Sequence, residues 1–362
     1  MKFVFISVID AWRILPPIKQ RGFDLKQFLV ISGLAAALAA PAAMADVTLY
    51  TTREPQLIQP LLDAFTKEKG IKVNTVFVKA GLLERVQAEA ERSPADVLMT
   101  VDIGNLIDLV NADLTQPVQS DVLTEAIPSN LRGPDNQWYA LSLRDRVAYV
   151  AEELAIDNIT YEEFADPKWK GKVCLRSGQH PYNTALIAAM IAHNGLEYTE
   201  QWLRGVKANL ARKAAGGDRD VARDILGGIC DIGIANAYYV GRMKNAEPGS
   251  DVYQWGEAIK VIRPVFAQPE GSGTHVNISG AAIAKHAPNP QEGLALLEFL
   301  VSDQAQSMYA KANYEYPVKK GVELDPVVAS FGELNIDPLD LTEVAKYRKQ
   351  ASELVDKVGF DH

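Results

Sequence analysis

From Val47 onward the chain alternates between two hydrophobic periods. The run VTLYTT (47–52) is extended and apolar, and Leu57, Ile58, Leu61, Leu62 and Phe65 then recur at the spacing of one helix face. Pro60 lacks an amide hydrogen, so that helix must begin only shortly before it. A strand at 71–78, a helix near 81–92, a strand at 95–100 and a helix near 104–112 follow. Strand-helix alternation of this kind predicts a parallel sheet with helices on both faces. The pattern restarts after Trp138, with strands at 172–177 and 229–236, a helix at 185–193 stopped by Asn194-Gly195, and a helix after Tyr238. The segments 139–150 and 275–285 are extended and free of proline, and read as crossover strands joining two α/β lobes. Lobe one is expected at 46–142 plus 279–318 and lobe two at 147–275 plus 319–362, with hinges at 143–146 and 276–278. Ligands of such sheets sit beyond the carboxyl ends of the strands, here in a cleft that hinge motion closes.

The first 45 residues are different. Phe28 to Ala40 is an apolar run of 13, preceded by Lys26 and followed by Pro41 and the small-x-small pattern Ala43-Met44-Ala45. This is the layout of a secretory signal with cleavage after Ala45, and it is too short to span a bilayer. Residues 1–25 are long for a leader's basic region, as an upstream start codon would produce. The segment 1–45 carries a charge of +3, so the formal net charge of −9 leaves −12 on the exported body. A body that acidic repels phosphate backbones, which argues against a nucleic-acid partner. A soluble monomer outside the cytoplasm is expected. With 48% hydrophobic residues in 362, the chain can bury a large core.

Export also bears on Cys174 and Cys230, the only two cysteines. Each lies in a strand-like run eight residues before a tyrosine, Tyr182 and Tyr238. If those runs are adjacent parallel strands, the sulfurs meet and form a disulfide, and the two tyrosines emerge on one edge; reduced, buried thiols are the alternative. Two cysteines cannot build a thiolate metal cluster. Tyr239 follows Tyr238 at a strand-to-helix turn, where both side chains can swing toward a cleft. Phenols ionise near pH 10, so only a strongly Lewis-acidic cation holds several as phenolates at neutrality. Ferric iron meets that demand, whereas zinc favours His and Cys, and calcium favours carboxylates and carbonyls. Taken alone, a Tyr-Tyr pair after a strand is more often packing or a sugar-stacking surface.

Eight segments together carry a resemblance: YTTREPQLI (50–58), SPADVLMTVD (93–102), LRDRVAY (143–149), GKVCLRSGQHPYN (171–183), GGDRD (216–220), GICDIGIANAYYVGRM (228–243), GTHVNISGAAIAKHAPN (273–289) and YEYPV (314–318). Along nearly all its mature length the chain resembles the periplasmic ferric-ion-binding proteins of ABC transporters. The resemblance implies a two-lobe, type II periplasmic binding fold that holds Fe(III) for an inner-membrane permease and is not an enzyme. It places Tyr182, Tyr238 and Tyr239 on the family's phenolate positions, and Arg144 on an arginine that helps hold a synergistic anion such as carbonate. A guanidinium forks onto a planar oxyanion, though a salt bridge to a carboxylate is the commoner fate of such an arginine. Arg53 is expected to approach the same anion or to pair with an acid. Where some members carry a ligating His, or His and Tyr, this chain has Glu54 and Pro55, and Asp102 stands where they have Glu. Glu54 and Asp102 are therefore expected as solvated acids at the cleft rim, with ligation on closure as the alternative. His180 is either a surface residue or a partner behind Tyr182. Two other functions remain open on the residues: a receptor for an organic solute (polyamine, thiamine or sugar), and an exported metal-dependent hydrolase, which the absence of GxSxG, HExxH and phosphate-loop motifs disfavours.

Overall fold

The computed structural model describes residues 45–362, and the predicted leader up to Met44 lies outside them. The chain opens with β1 (Val47–Thr51), α1 (Pro55–Lys69), β2 (Val73–Phe77), α2 (Leu82–Glu89), β3 (Val97–Thr100), α3 (Ile103–Asn111), β4 (Thr115–Gln116) and α4 (Asp121–Ala126). A long strand, β5 (Tyr139–Ala151), leads to β6 (Val173–Cys174), α5 (Pro181–Ala208), α6 (Asp218–Leu226), β7 (Ile232–Asn236), α7 (Tyr238–Lys244), α8 (Asp251–Glu257) and β8 (Ile259–Ile262). The chain then forms β9 (Val276–Ala284), α9 (Pro290–Leu300), α10 (Asp303–Ala312), β10 (Tyr316–Pro317), α11 (Pro326–Ala329), α12 (Leu341–Lys346) and α13 (Arg348–Val358).

The strands run in the order β2-β1-β3-β9-β5-β7-β6, with β4, β8 and β10 attached at the sides. Pairs β1/β2, β1/β3 and β6/β7 are parallel, as the alternation predicts. The two crossover strands, however, pair with each other and run antiparallel, so the sheet is mixed. Strand β5 changes neighbours halfway along. Its first half pairs with β9 up to Asp145↔Val276, and its second half pairs with β7 from Arg146↔Asn236. All thirteen of its residues are buried. The residues at the changeover are therefore charged side chains in the middle of the molecule, where each must find partners.

Apolar side chains collect in separate cores. The first gathers Ile58, Leu61, Leu62 and Phe65 of α1 with β1, β3, β9 and the buried faces of α9 and α10. Each such side chain stabilises the fold by roughly 1.5–3 kcal/mol when removed from water. The second joins Leu186 to Ile191 of α5 with Trp202, Leu203, Val206, Ile232, Ile234 and the inner face of α13. A smaller third holds Val221, Ile225, Val240 and Met243 on α6 and α7. The tail does not sit wholly with the second core, as assigning 319–362 to one lobe requires. Val328 and Leu341 belong to the first core and Val344 to the second. The reason is that β10 pairs with the first half of β5, at Tyr316↔Leu143, so the chain leaves from the first core and crosses only along α12.

The disulfide forms between Cys174 and Cys230, whose Cα atoms are 5.9 Å apart. Strands β6 and β7 are adjacent and parallel, but Cys174 pairs with Gly233, so Cys230 lies in the turn before β7. Gly233 is required there, because a Cβ would come within 2.3 Å of the Cys174 carbonyl oxygen.

Candidate functional site

The ends of β1, β3 and β7, the first turns of α5 and α7 and the middle of β5 meet around a cavity of about 230 Å³. Tyr182, Tyr238, Tyr239, Arg144, Arg53 and Glu54 all line it, together with Arg242 and Glu315. A second cavity of about 480 Å³ shares Thr52, Val101 and Tyr182 with it and includes Asp102 and His180 in its wall.

Pro181 opens α5, and His180 caps it by accepting the Tyr182 amide hydrogen on Nδ1 at 3.2 Å. The His180 ring meets the Tyr182 ring edge-on at 4.5 Å. Burial, and after it the Arg176 charge, brings the His180 pKa down to about 4, so the imidazole is neutral at pH 7. It is half-buried behind Tyr182 rather than on the surface. Arg144, Arg146 and Arg176 stand 5.3, 5.9 and 5.3 Å from the centre of the Tyr182 ring. Arg144 also donates to the Tyr182 hydroxyl at 3.3 Å.

Tyr238 and Tyr239 share one side because β7 ends at Asn236 and Ala237 already has helical dihedrals (φ −60°, ψ −37°). Strand alternation has given way to helical geometry, and the two rings pack at a tilt of 36° with centroids 4.2 Å apart. Burial raises the Tyr238 pKa well above the ordinary phenol value, and the neighbouring Tyr182 and Tyr239 raise it further. Tyr239 is raised by burial and then by Tyr182. Phenols that repel one another's charge and lack water stay protonated until a cation arrives.

Arg144 is 3% exposed, and its Nη2 donates to the carbonyls of Val101 and, at 2.6 Å, Ile278. One guanidinium thus ties the β3-α3 turn and β9 to Tyr182, while its Nε has no hydrogen-bond partner among the described residues. Arg53 pairs with an acid instead of facing the cavity freely: its terminal nitrogens reach Glu315 at 2.8 and 3.3 Å and Ser279 at 2.7 Å. Burial opposes the Glu315 charge, but Arg53 and Arg144 outweigh it and hold the carboxyl below the usual range. Of the two fates expected for Arg53, pairing with an acid is the contact found among the described residues. Asp102 is no solvated acid. It is 2% exposed, caps α3 through the Asn105 amide at 3.0 Å and accepts from Asn277 at 2.8 Å. Glu54 remains exposed at the rim and accepts from Gln56 at 2.6 Å.

Two charged lining residues, Glu315 and Arg242, were not singled out from the sequence. Glu315 sits in YEYPV, but its partner lies 262 residues away, which no local pattern reveals. Arg242 lies over the Tyr238 ring at 5.0 Å with a buried Nη2 that finds no partner among the described residues. Its spacing of four from Tyr238 on α7 was the available signal. The described residues contain no group of three or more His, Cys, Asp or Glu arranged to hold a metal ion. The cavity offers three phenols and three guanidiniums, with the carboxylates of Glu54 and Glu315 beside them. Among those residues no helix is long and apolar enough to cross a membrane.

Comparison with known proteins agrees with this architecture. The chain is 73% identical to the solved structure of a Bordetella ferric binding protein, with a TM-score of 0.84, covering 88% of this chain and 100% of that one. It is 40% identical over 335 residues to iron uptake protein A2 of Synechocystis, spanning 92% of this chain and 94% of the relative. A Trichodesmium protein (IdiA, FutA), solved in complex with iron and citrate ligands, is 38% identical with a TM-score of 0.81, over 87% of this chain and 99% of its own. These names describe iron binding and uptake, not catalysis. The model of the bacterial extracellular solute-binding proteins matches residues 50–307, and with the two-lobe α/β fold of its relatives the chain belongs to that family.

Proposed function

We propose that this chain is the periplasmic receptor of an iron(III) ABC importer, binding ferric ion in the cavity and handing it to an inner-membrane permease. Tyr182, Tyr238 and Tyr239 are its ligands as phenolates, and Arg144 holds a synergistic oxyanion such as carbonate that completes the coordination. The observation that carries this reading is the convergence of three phenols on one cavity lined by Arg144. Three phenolates neutralise a trivalent ion, and the cation offsets both the burial and the mutual repulsion that keep the phenols protonated without it. The relatives named for ferric binding and iron uptake support the cargo. The neighbouring cavity leaves room for a larger oxyanion than carbonate. The lobes that close on the ion are 46–142 with 279–318 and 147–275 with the terminal helix, hinged where β5 changes partner and at 276–278.

The test is a ferric titration of the metal-free protein with bicarbonate or citrate as the variable anion. A visible phenolate-to-iron charge-transfer band should grow to one equivalent, and the melting temperature should rise with it. Tyr239→Phe keeps the ring and loses the charge, and should weaken ferric binding by several orders of magnitude while leaving the fold intact. A protein that stays colourless and gains no stability from ferric citrate, but is stabilised by a metal-free organic solute, would overturn the proposal.

A further inference from the structure

We propose that Arg146, together with Asp218, is a positioning residue that locks the two tyrosine-bearing turns into one geometry; this rests on the ferric reading above. Arg146 lies two residues beyond Arg144 on β5 and so points to the same side of the strand. It is 1% exposed. Its Nη1 donates to Asp218 Oδ2 at 2.5 Å and to Asn236 Oδ1 at 3.0 Å, and its Nη2 donates to Asn183 Oδ1 at 2.6 Å. Asn183 directly follows Tyr182, and Asn236 lies two residues before Tyr238. One guanidinium therefore touches both turns that carry the phenols.

Asp218 closes the arrangement. It is the first residue of α6, accepts the Asn236 amide hydrogen at 2.9 Å on Oδ2 and takes Arg176 on Oδ1 at 3.2 Å. Asn183 in turn donates to the carbonyls of Arg176 and Ser177 at 3.0 and 3.1 Å, fixing the approach to α5. No other element joins the Tyr182 turn to the Tyr238 turn through side chains in the described hydrogen bonds. A buried ion pair is a poor source of net stability, because an apolar pair of similar volume often does as well. What the planar fork supplies here is placement of several partners at fixed angles. Metal ligands need placement to within about 0.5 Å, held by groups that are themselves held.

The experiment compares wild type, the double variant Arg146→Met with Asp218→Asn, and Arg146→Lys in the full mature chain. The double variant removes the fully buried Arg146–Asp218 charges together, leaving only the partly exposed Arg176 without its carboxylate partner. The lysine variant keeps a charge beside Asp218 but cannot fork onto three acceptors. Readouts are denaturant stability, ferric affinity by competition with citrate, and the position of the charge-transfer band. Both variants should bind ferric ion at least 100-fold more weakly than wild type, with a shifted or broadened band, and Arg146→Lys should do so while unfolding at nearly the wild-type denaturant concentration. A lysine variant whose affinity and band match wild type within threefold overturns the inference, as does a folded double variant with the same result. A wild type that shows no band overturns the ferric reading itself, and this inference with it.

Discussion

His275 is 3% exposed, and its Nε2 finds no hydrogen-bond partner among the described residues. Burial lowers its pKa to about 4 from the ordinary 6.5; Asp337 works against that shift, and Arg146 and His193 add to it. The folded protein accordingly binds the proton only below about pH 4, whereas the unfolded chain binds it near 6.5. Stability from this residue is complete above 6.5 and is lost as pH falls from 6.5 toward 4, by about 3 kcal/mol in all. Asp218 and Glu315 behave as ordinary paired acids: their carboxyls are held below the usual range, so their losses come only at more acid pH. Urea unfolding between pH 7.5 and 4.5 should show stability falling through this window in the metal-free protein. His275→Gln should remove this residue's share of the fall and leave that of His180, whose pKa is lowered to about 4 as well, and an unchanged slope in that variant would assign the fall to other groups.

Elements were legible where a local period sets them and obscure where a distant partner does. The apolar spacing of α1 locates its buried face, Ile58, Leu61, Leu62 and Phe65. The Asn194-Gly195 stop is real, since Gly195 adopts φ 81°, but helix resumes beyond it to Ala208. Thr199, Trp202, Leu203 and Val206 carried that continuation at helical spacing. Strand 172–177 shrinks to Val173–Cys174, because the Leu175 carbonyl turns to Arg212 and Ala215 instead of extending the ladder. The three tyrosines could be grouped from the sequence because each follows a strand. The Arg53–Glu315 pair and the Asp102–Asn277 contact could not, as they depend on where the 315 segment and β9 return, whereas the Asp102 cap on α3 is a local signal that was passed over. The disulfide belongs to this scale too. It joins residues 56 apart, and restricting that loop in the unfolded chain is worth about 4 kcal/mol on the chain-entropy model. Cys174→Ala with Cys230→Ala should lower unfolding free energy by about that amount yet keep ferric binding, because the tyrosine turns are tied by Arg146. A loss below about 1 kcal/mol would remove the loop argument.

At the scale of the whole molecule, one contact bridges the two large cores beside the cleft. Arg348 opens α13, a helix of the second core, and reaches α3 of the first, at Asp108 Oδ2 and Asn105 Oδ1, both 2.6 Å away. Gly104 makes room for it, since a Cβ there would come within 2.5 Å of the Arg348 side chain. The helix before it, α12, places Leu341 in the first core and Val344 in the second, so the clasp sits where the tail crosses over. Arg348 also lines the cavity that shares Tyr182 with the phenol site. It is partly exposed, and an exposed ion pair contributes at most about 1 kcal/mol and weakens with salt. That is small against the stability of the fold, but it is about fivefold in an equilibrium between open and closed arrangements. Under the proposed hinge motion, Arg348→Ala should shift the metal-free protein away from the arrangement seen here and speed ferric release to citrate about fivefold. Gly104→Ala should act in the same direction by crowding the arginine, and high salt should bring wild type toward both variants. Solution scattering and stopped-flow release at low salt decide the matter: if profiles and rates of Arg348→Ala coincide with wild type there, the contact holds nothing closed, and the cleft is governed by its cargo and hinge strands alone.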